Sequence, residues 1–227
     1  ASGTYVLPGL VDAHCHPTYA DKIDSLSISA AFGGITTLIP FAGALKAWGK
    51  EGSVIDSLRE FIKEGMEKSI VDFGVHCTFV RENLKELTTL IPEAVKMGVI
   101  SFKTFMAYAR RGMKLEDHEL LMLMEVIRDN QGLFMVHAEN GSVIDYLVGK
   151  FEAQGKTGPE YFLPSQPNLV ESESVYRVLS MASVVHAPIY LPHLSAAESF
   201  DVVRWFRARE ETRMFIETCP HYLTLTD

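Results

Sequence analysis

Leu10-Val11-Asp12-Ala13-His14, set between Pro8-Gly9 and Cys15-His16, reads as a short buried strand that ends in polar residues. The sequence around it repeats that unit. Ile23 to Phe32 follows as a helix closed by the glycine pair Gly33-Gly34, and Ile35-Thr36-Thr37-Leu38-Ile39 is β-branched and apolar, a strand stopped by Pro40. Val54 to Lys68 carries Ile55, Leu58, Phe61 and Ile62 at helical spacing. Val71-Asp72-Phe73-Gly74-Val75 is a third strand, followed by a helix over 84–97. Val99-Ile100-Ser101-Phe102 is a fourth, running on through Phe105, followed by a helix over 116–130 whose Asp117 and Glu119 suit its positive end. Leu133–Val136 is a fifth strand. A helix over 141–154, a Gly/Pro-rich loop over 155–167 and a helix over 171–184 separate it from Ile189-Tyr190-Leu191. A helix over 196–209 and a strand over Met214–Thr218 complete the series.

Seven apolar strands with helical crossovers predict an α/β fold with a parallel sheet covered on both faces. Both a doubly wound open sheet and a (β/α)8 barrel satisfy that pattern. No G-x-G-x-x-G follows the first strand, so dinucleotide binding has no support. No internal boundary divides the chain, and residues 1–227 are expected to form one domain.

Composition narrows the function classes. The 227 residues carry 21 Lys+Arg against 29 Asp+Glu, a net charge of −8 that disfavours a general phosphate-backbone binder, so no nucleic-acid partner is expected. A hydrophobic fraction of 47% with mean hydropathy +0.09 is that of a folded domain. No run of 18 apolar residues occurs, and no membrane partner is expected. Cys15, Cys77 and Cys219 are odd in number and scattered, which predicts free thiols and a reducing, cytoplasmic location. A start at Ala1 and an end at Thr226-Asp227, just past an apolar strand, give the expectation of a piece cut from something longer.

Parallel α/β architectures gather chemistry at the carboxyl ends of their strands. There the sequence places His14 and His16, Lys103, His137 and His193. His14 and His16 are two apart, so both rings project from one strand face while Cys15 points away. Two adjacent imidazoles grip a divalent metal, although two histidines ending a strand are also compatible with plain packing. Four imidazoles at one sheet end exceed the three protein ligands of a single catalytic zinc and suggest two metals. Lys103 lies in an apolar strand, where a cation is costly to bury. Either it snorkels to the strand end, or it is neutral there and reacts with carbon dioxide to a carbamate that bridges two metal ions.

Several stretches carry a resemblance. Pro8 to His16 resembles the P-G-x-[IV]-D-x-H-x-H opening of the amidohydrolase superfamily. Ser101 to Tyr108 is similar to the carboxylated-lysine strand of its dihydropyrimidinase/hydantoinase branch. His137-Ala138-Glu139-Asn140-Gly141 and His193-Leu194-Ser195 resemble the third and fourth histidine motifs, and Gly155–Glu160 and Glu217–Leu223 further stretches of that branch. The spacing of His16, Lys103, His137 and His193 is also that of the branch. The resemblance covers nearly the whole chain.

It implies a TIM-type barrel and a binuclear centre. His14 and His16 would bind the more buried metal, Lys103 as N6-carboxylysine would bridge, and His137 and His193 would bind the second; zinc is the expected ion. Tyr108 matches the family tyrosine that hydrogen-bonds the oxyanion. The implied reaction is hydrolysis of a cyclic amide, such as a dihydropyrimidine or a 5-substituted hydantoin, by a hydroxide held between the metals. The full-length form would be a homo-oligomer, a tetramer in this family. The family's general-base aspartate belongs to an eighth strand, and its small β-sandwich is built from the two chain ends. Neither is expected in these 227 residues, where Asp227 lies in the wrong motif, and the chain alone is expected to be inactive.

Other readings compete. Relatives without metal ligands act as cytoskeletal assembly proteins, but all five ligand positions available here are intact. Dihydroorotases place an arginine shortly after H-x-H, where this chain has Pro17-Thr18-Tyr19, and allantoinases diverge around the lysine strand. His76 and Cys77 read as packing, His118 and His186 as surface or capping residues, and Glu171 and Glu173 as helix-start acids. His221 is set aside as outside the mouth, Cys219 lacks a partner motif for nucleophilic work, and Met122-Leu123-Met124 reads as core.

Overall fold

A computed structural model describes residues 2–17, 21–210 and 212–225; Thr18, Tyr19 and Asp227 lie outside them. Its strands are β1 (Leu10–Cys15), β2 (Ile35–Ala42), β3 (Asp72–Phe73), β4 (His76–Thr78), β5 (Ser101–Phe105), β6 (Leu133–His137), β7 (Ile189–Leu191) and β8 (Met214–Ile216). The helices that matter to the site are α1 (Ile23–Phe32), α2 (Val54–Lys68), α3 (Leu87–Lys96), α4 (Asp117–Asp129), α5 (Gly141–Glu152), α6 (Phe162–Ser165), α7 (Asn168–Val184) and α8 (Ala197–Arg207).

Every pairing is parallel, and the order β1-β2-β4-β5-β6-β7-β8 follows the chain without reversal, with β3 on β2. A doubly wound sheet reverses its order at a switch point, so that alternative falls. The sheet curls: Glu217, just past β8, lies 3.1 Å from the ring of His14 on β1 although neither strand pairs with the other. Seven positions of a barrel are filled, as expected. β1 presents an open edge to solvent, with Leu10 61% and Val11 59% exposed.

The core is made of inward strand residues and the apolar stripes of the helices. Phe102, Phe134, Ile189 and Leu191 are buried from the sheet, and Leu58, Ile91, Leu123, Ile127 and Leu179 from the helices. On α2 the buried Ile55, Leu58 and Phe61 recur every three residues, and Ser53 caps the helix by accepting the Asp56 N–H. Gly65 continues that stripe because a Cβ there would stand 2.4 Å from the Phe73 ring, so this contact of α2 with β3 needs glycine.

Four expectations are corrected. β2 does not stop at Pro40 but runs to Ala42: Pro40 sits opposite Cys15 where the β1 ladder is irregular, a place where a missing N–H is tolerated. The third strand divides at Gly74-Val75, and pairing resumes at His76–Thr78. The loop over 155–167 contains a 3-10 turn (Pro159–Tyr161) and α6. Met122 is also exposed, unlike Leu123 and Met124, because three successive helical residues cannot all face one core.

Candidate active site

The HxH segment is shaped by a bulge. Ladder pairing of β1 with β2 is regular at Asp12 and resumes at Cys15, which takes Ala13 and His14 out of register. Side chains replace the missing ladder: the His14 N–H donates to Asp12 Oδ1 at 2.9 Å, and the Ala13 carbonyl lies 3.0 Å from His76 Nε2. His76 contacts Ser101 Oγ through its other nitrogen, so it is a buried framework residue, and burial pushes its pKa down to about 4. Cys77 is fully buried in the core, and burial pushes its thiol up.

His14, His16, Lys103, Tyr108, His137 and His193 line one cavity of about 930 Å³ at the carboxyl ends of the strands. The rings make a chain of contacts. His14 and His16 have centroids 5.1 Å apart, His14 and His193 5.3 Å, and His193 and His137 4.8 Å. His14 Nε2 and His16 Nε2 are 3.1 Å apart, as are His137 Nδ1 and His193 Nε2. Two imidazole nitrogens on one tetrahedral zinc stand about 3.3 Å apart, so each pair has the spacing of two ligands on one ion. Burial holds His137 below the usual histidine range, and burial with nearby cations does the same for His193 and brings His16 down to about 4. Neutral imidazoles are the form that binds metal. Among the described residues, no three His, Cys, Asp or Glu side chains form a metal-binding group, so each pair needs a further donor.

Lys103, on β5, is 3% exposed, and its ammonium lies 5.7 Å from the ring centres of both Phe41 and Phe105. Burial brings its pKa down to about 7, which leaves much of the amine unprotonated near neutrality. Such an amine is nucleophilic, and its carbamate is the type of oxygen donor that the two histidine pairs lack. The residues present therefore fit a pair of divalent ions.

Tyr108 begins the loop after β5 with φ +67°, uncommon for a tyrosine, and its hydroxyl is 3.1 Å from His137 Nε2. His193 also has positive φ, at 47°. Gly141 opens α5 because a Cβ there would meet Ala107 Cα at 2.7 Å and the Met106 carbonyl at 2.9 Å, so the helix packs directly on the backbone that leads to Tyr108.

The sequence passes over three acids. Glu171, read as a helix-start acid, instead lines the cavity: its carboxylate accepts the N–H groups of Ser195 and Ala196 at 3.0–3.2 Å and the Ser195 hydroxyl at 2.8 Å. The local run shows only a suitable dipole charge, whereas its partners lie 24 residues away. Glu139 is 2.5 Å from His137 Nε2, and Glu217 accepts from His14 and Tyr190. Burial raises the Glu217 carboxyl, but the His14 and Tyr190 hydrogen bonds outweigh it and hold it below the usual range. One signal for Glu217 was legible, an acid ending an apolar strand. His221, set aside from sequence, also lines the cavity. His118 and His186 are exposed, Glu173 pairs with Arg177, and Cys219 is half-buried.

A scan of protein-family models finds no match. The D-hydantoinase of Rhizobium radiobacter is 39% identical over 240 residues and that of Ralstonia pickettii 36% over 236; each alignment covers all of this chain and 50% of the relative. Among solved structures, a D-hydantoinase superposes with TM-score 0.85 at 35% identity over 96% of this chain and 48% of its own. The L-hydantoinase (dihydropyrimidinase) of Arthrobacter aurescens superposes with TM-score 0.86 at 26% identity over 99% of this chain and 50% of its own. The chain thus spans about half the length of the curated relatives it matches. Sequence identity and superposition along the whole chain agree: it is homologous to about one half of the hydantoinase/dihydropyrimidinase chain.

Proposed function

We propose that residues 1–227 are one barrel domain of a metal-dependent hydrolase that opens cyclic amides, with 5-substituted hydantoins or dihydropyrimidines as the substrate class. The supporting observation is the convergence of His14, His16, Lys103, Tyr108, His137 and His193 on one cavity. His14 and His16 would hold one divalent ion and His137 and His193 a second, with Lys103 as N6-carboxylysine between them; zinc is the ion that imidazole and carboxylate donors suit. Such ions polarise a carbonyl and lower the pKa of water.

The chain's own residues do the rest. Trp48, Phe105, Met113, Phe162 and Leu163 form an apolar wall that receives the ring substituent and excludes water from it. The Tyr108 hydroxyl, aimed into the cavity by its left-handed backbone, donates a hydrogen bond to the carbonyl oxygen as negative charge develops there. Glu171 holds the Ser195-Ala196 turn, two residues past His193, and so fixes the cavity wall opposite. The ring C–N bond breaks with proton transfer to the leaving nitrogen. The intact ligand positions disfavour a purely assembly role. The full-length protein is proposed to be a homotetramer.

The test is metal analysis of the full-length protein combined with ring opening of hydantoin and dihydrouracil. Bound zinc and turnover are expected. Protein that is folded, metal-free after growth in zinc, and inert towards both rings would remove the proposal.

A further inference from the structure

We infer that Glu217, together with Tyr190, is a positioning pair that fixes the tautomer of His14 and thereby presents the His14 Nε2 lone pair to the cavity. Glu217 sits at the end of the last strand, and its backbone is anchored on both sides. Its N–H donates to the Leu191 carbonyl at 2.9 Å, and its carbonyl accepts the Leu194 N–H at 2.8 Å. The side chain is therefore delivered from a fixed point, across the curl of the sheet, to the first strand.

One carboxylate oxygen accepts the Tyr190 hydroxyl at 2.9 Å, and the carboxylate lies 3.1 Å from His14 Nδ1. An ionised carboxylate can only accept. His14 must then carry its proton on Nδ1, which leaves Nε2 bare, 3.1 Å from His16 Nε2. Tyr190 completes the arrangement: its hydroxyl, from β7, satisfies a second lone pair of the carboxylate and tethers it beside the ring. Carboxylates in this outer position orient metal-binding histidines and raise their basicity. Asp12 and His76 fix only the backbone around His14, so Glu217 is the group that acts on its ring.

The inference rests on the proposed metal role of His14, but it makes a claim about the metal-free protein as well. In the folded full-length protein stripped of metal, nitrogen-15 NMR of the histidines should show His14 as the Nδ1–H tautomer. Glu217→Ala should shift it towards the Nε2–H form that free imidazole prefers. Competition of zinc against a chelator should show affinity weakened by about 10–100-fold in Glu217→Ala, with a smaller loss in Glu217→Gln, whose carbonyl still accepts from Nδ1–H, and in Tyr190→Phe. The cobalt(II) absorption spectrum should change in Glu217→Ala and be largely restored in Glu217→Gln, which a purely structural role does not require. Should Glu217→Ala fail to fold, Tyr190→Phe and Glu217→Gln carry both measurements. An Nε2–H His14 in the unaltered protein, or unchanged tautomer and zinc affinity in the folded variants, overturns the inference. Absence of zinc binding by the unaltered protein would instead overturn the functional proposal, while the tautomer measurement still decides this one.

Discussion

Gly141→Ala tests the coupling of helix packing to Tyr108, the tyrosine proposed to meet the substrate carbonyl. The added Cβ would stand 2.7 Å from Ala107 Cα and 2.9 Å from the Met106 carbonyl, both backbone atoms that cannot rotate away. Ordinary contact begins near 3.4 Å, so α5 or the 106–107 segment must retreat by about 0.7 Å. Overpacking of this kind costs about 1–3 kcal/mol, and the lower backbone entropy of alanine in the unfolded chain returns about 0.4–1 kcal/mol. The net expectation is a loss of roughly 1–2 kcal/mol in urea unfolding. Tyr108 follows Ala107 directly, so the displacement reaches its hydroxyl, and misplacement by about 1 Å can cost on the order of 10²-fold in turnover. Gly149→Ala on the same helix is the control: its Cβ would meet only Arg110 Nη2, at an ordinary 3.6 Å, and helix propensity favours alanine there. Urea unfolding and hydantoin ring opening of both variants in the full-length protein form the assay. If Gly141→Ala matches Gly149→Ala in stability, the close approach is not a constraint. If it is destabilised but keeps full turnover, Tyr108 is not positioned through that contact.

Lys103→Met, which keeps side-chain bulk in a buried position, should leave the fold intact and lower ring opening by more than the roughly 10–100-fold cost of losing an outer metal partner; metal content and turnover of the purified variant decide it. Phe102→Ala removes a fully buried ring packed 5.8 Å from that of Phe79 and should cost about 3–5 kcal/mol, read by urea unfolding. Burial raises the Glu119 carboxyl, but the paired hydrogen bonds of Arg81 and the Glu116 N–H outweigh it and leave the pKa depressed. Because the depressed form is the folded one, its stability is present above the unfolded pKa and lost as pH falls through the folded value. Arg81 is half exposed, so the contribution is about 0.5–1 kcal/mol. Glu119→Gln should therefore be less stable than the parent at neutral pH, with the difference closing as pH falls through the folded pKa of Glu119, read by urea unfolding across acidic pH.

Element types and the residues at strand ends were readable because both depend on short-range pattern. Val54–Lys68 and Ile23–Phe32 have the bounds the apolar spacing predicts, and His14, Lys103, His137 and His193 meet because parallel strands share one carboxyl end. What escaped is long-range. Pro40 reads as a stop until the irregular ladder opposite it is known, and Glu171 reads as a dipole acid until the Ser195 turn is folded against it. Glu217 finds His14 only when the sheet curls. A side chain whose partner is many residues away leaves no periodic trace in the chain.

The irregular step in β1 has a further consequence for how this site tolerates change. Ala13 and His14 are held by Asp12 and His76 instead of by the ladder that sets the rest of the strand. The scaffold and the chemistry are thereby insulated from each other. Asp12 and His76 set the backbone from which the His14 ring leaves, and Glu217 sets the ring itself, so neither task falls to the β1–β2 ladder. A protein engineer seeking to re-aim His14 would begin with those three side chains and leave the strand itself alone.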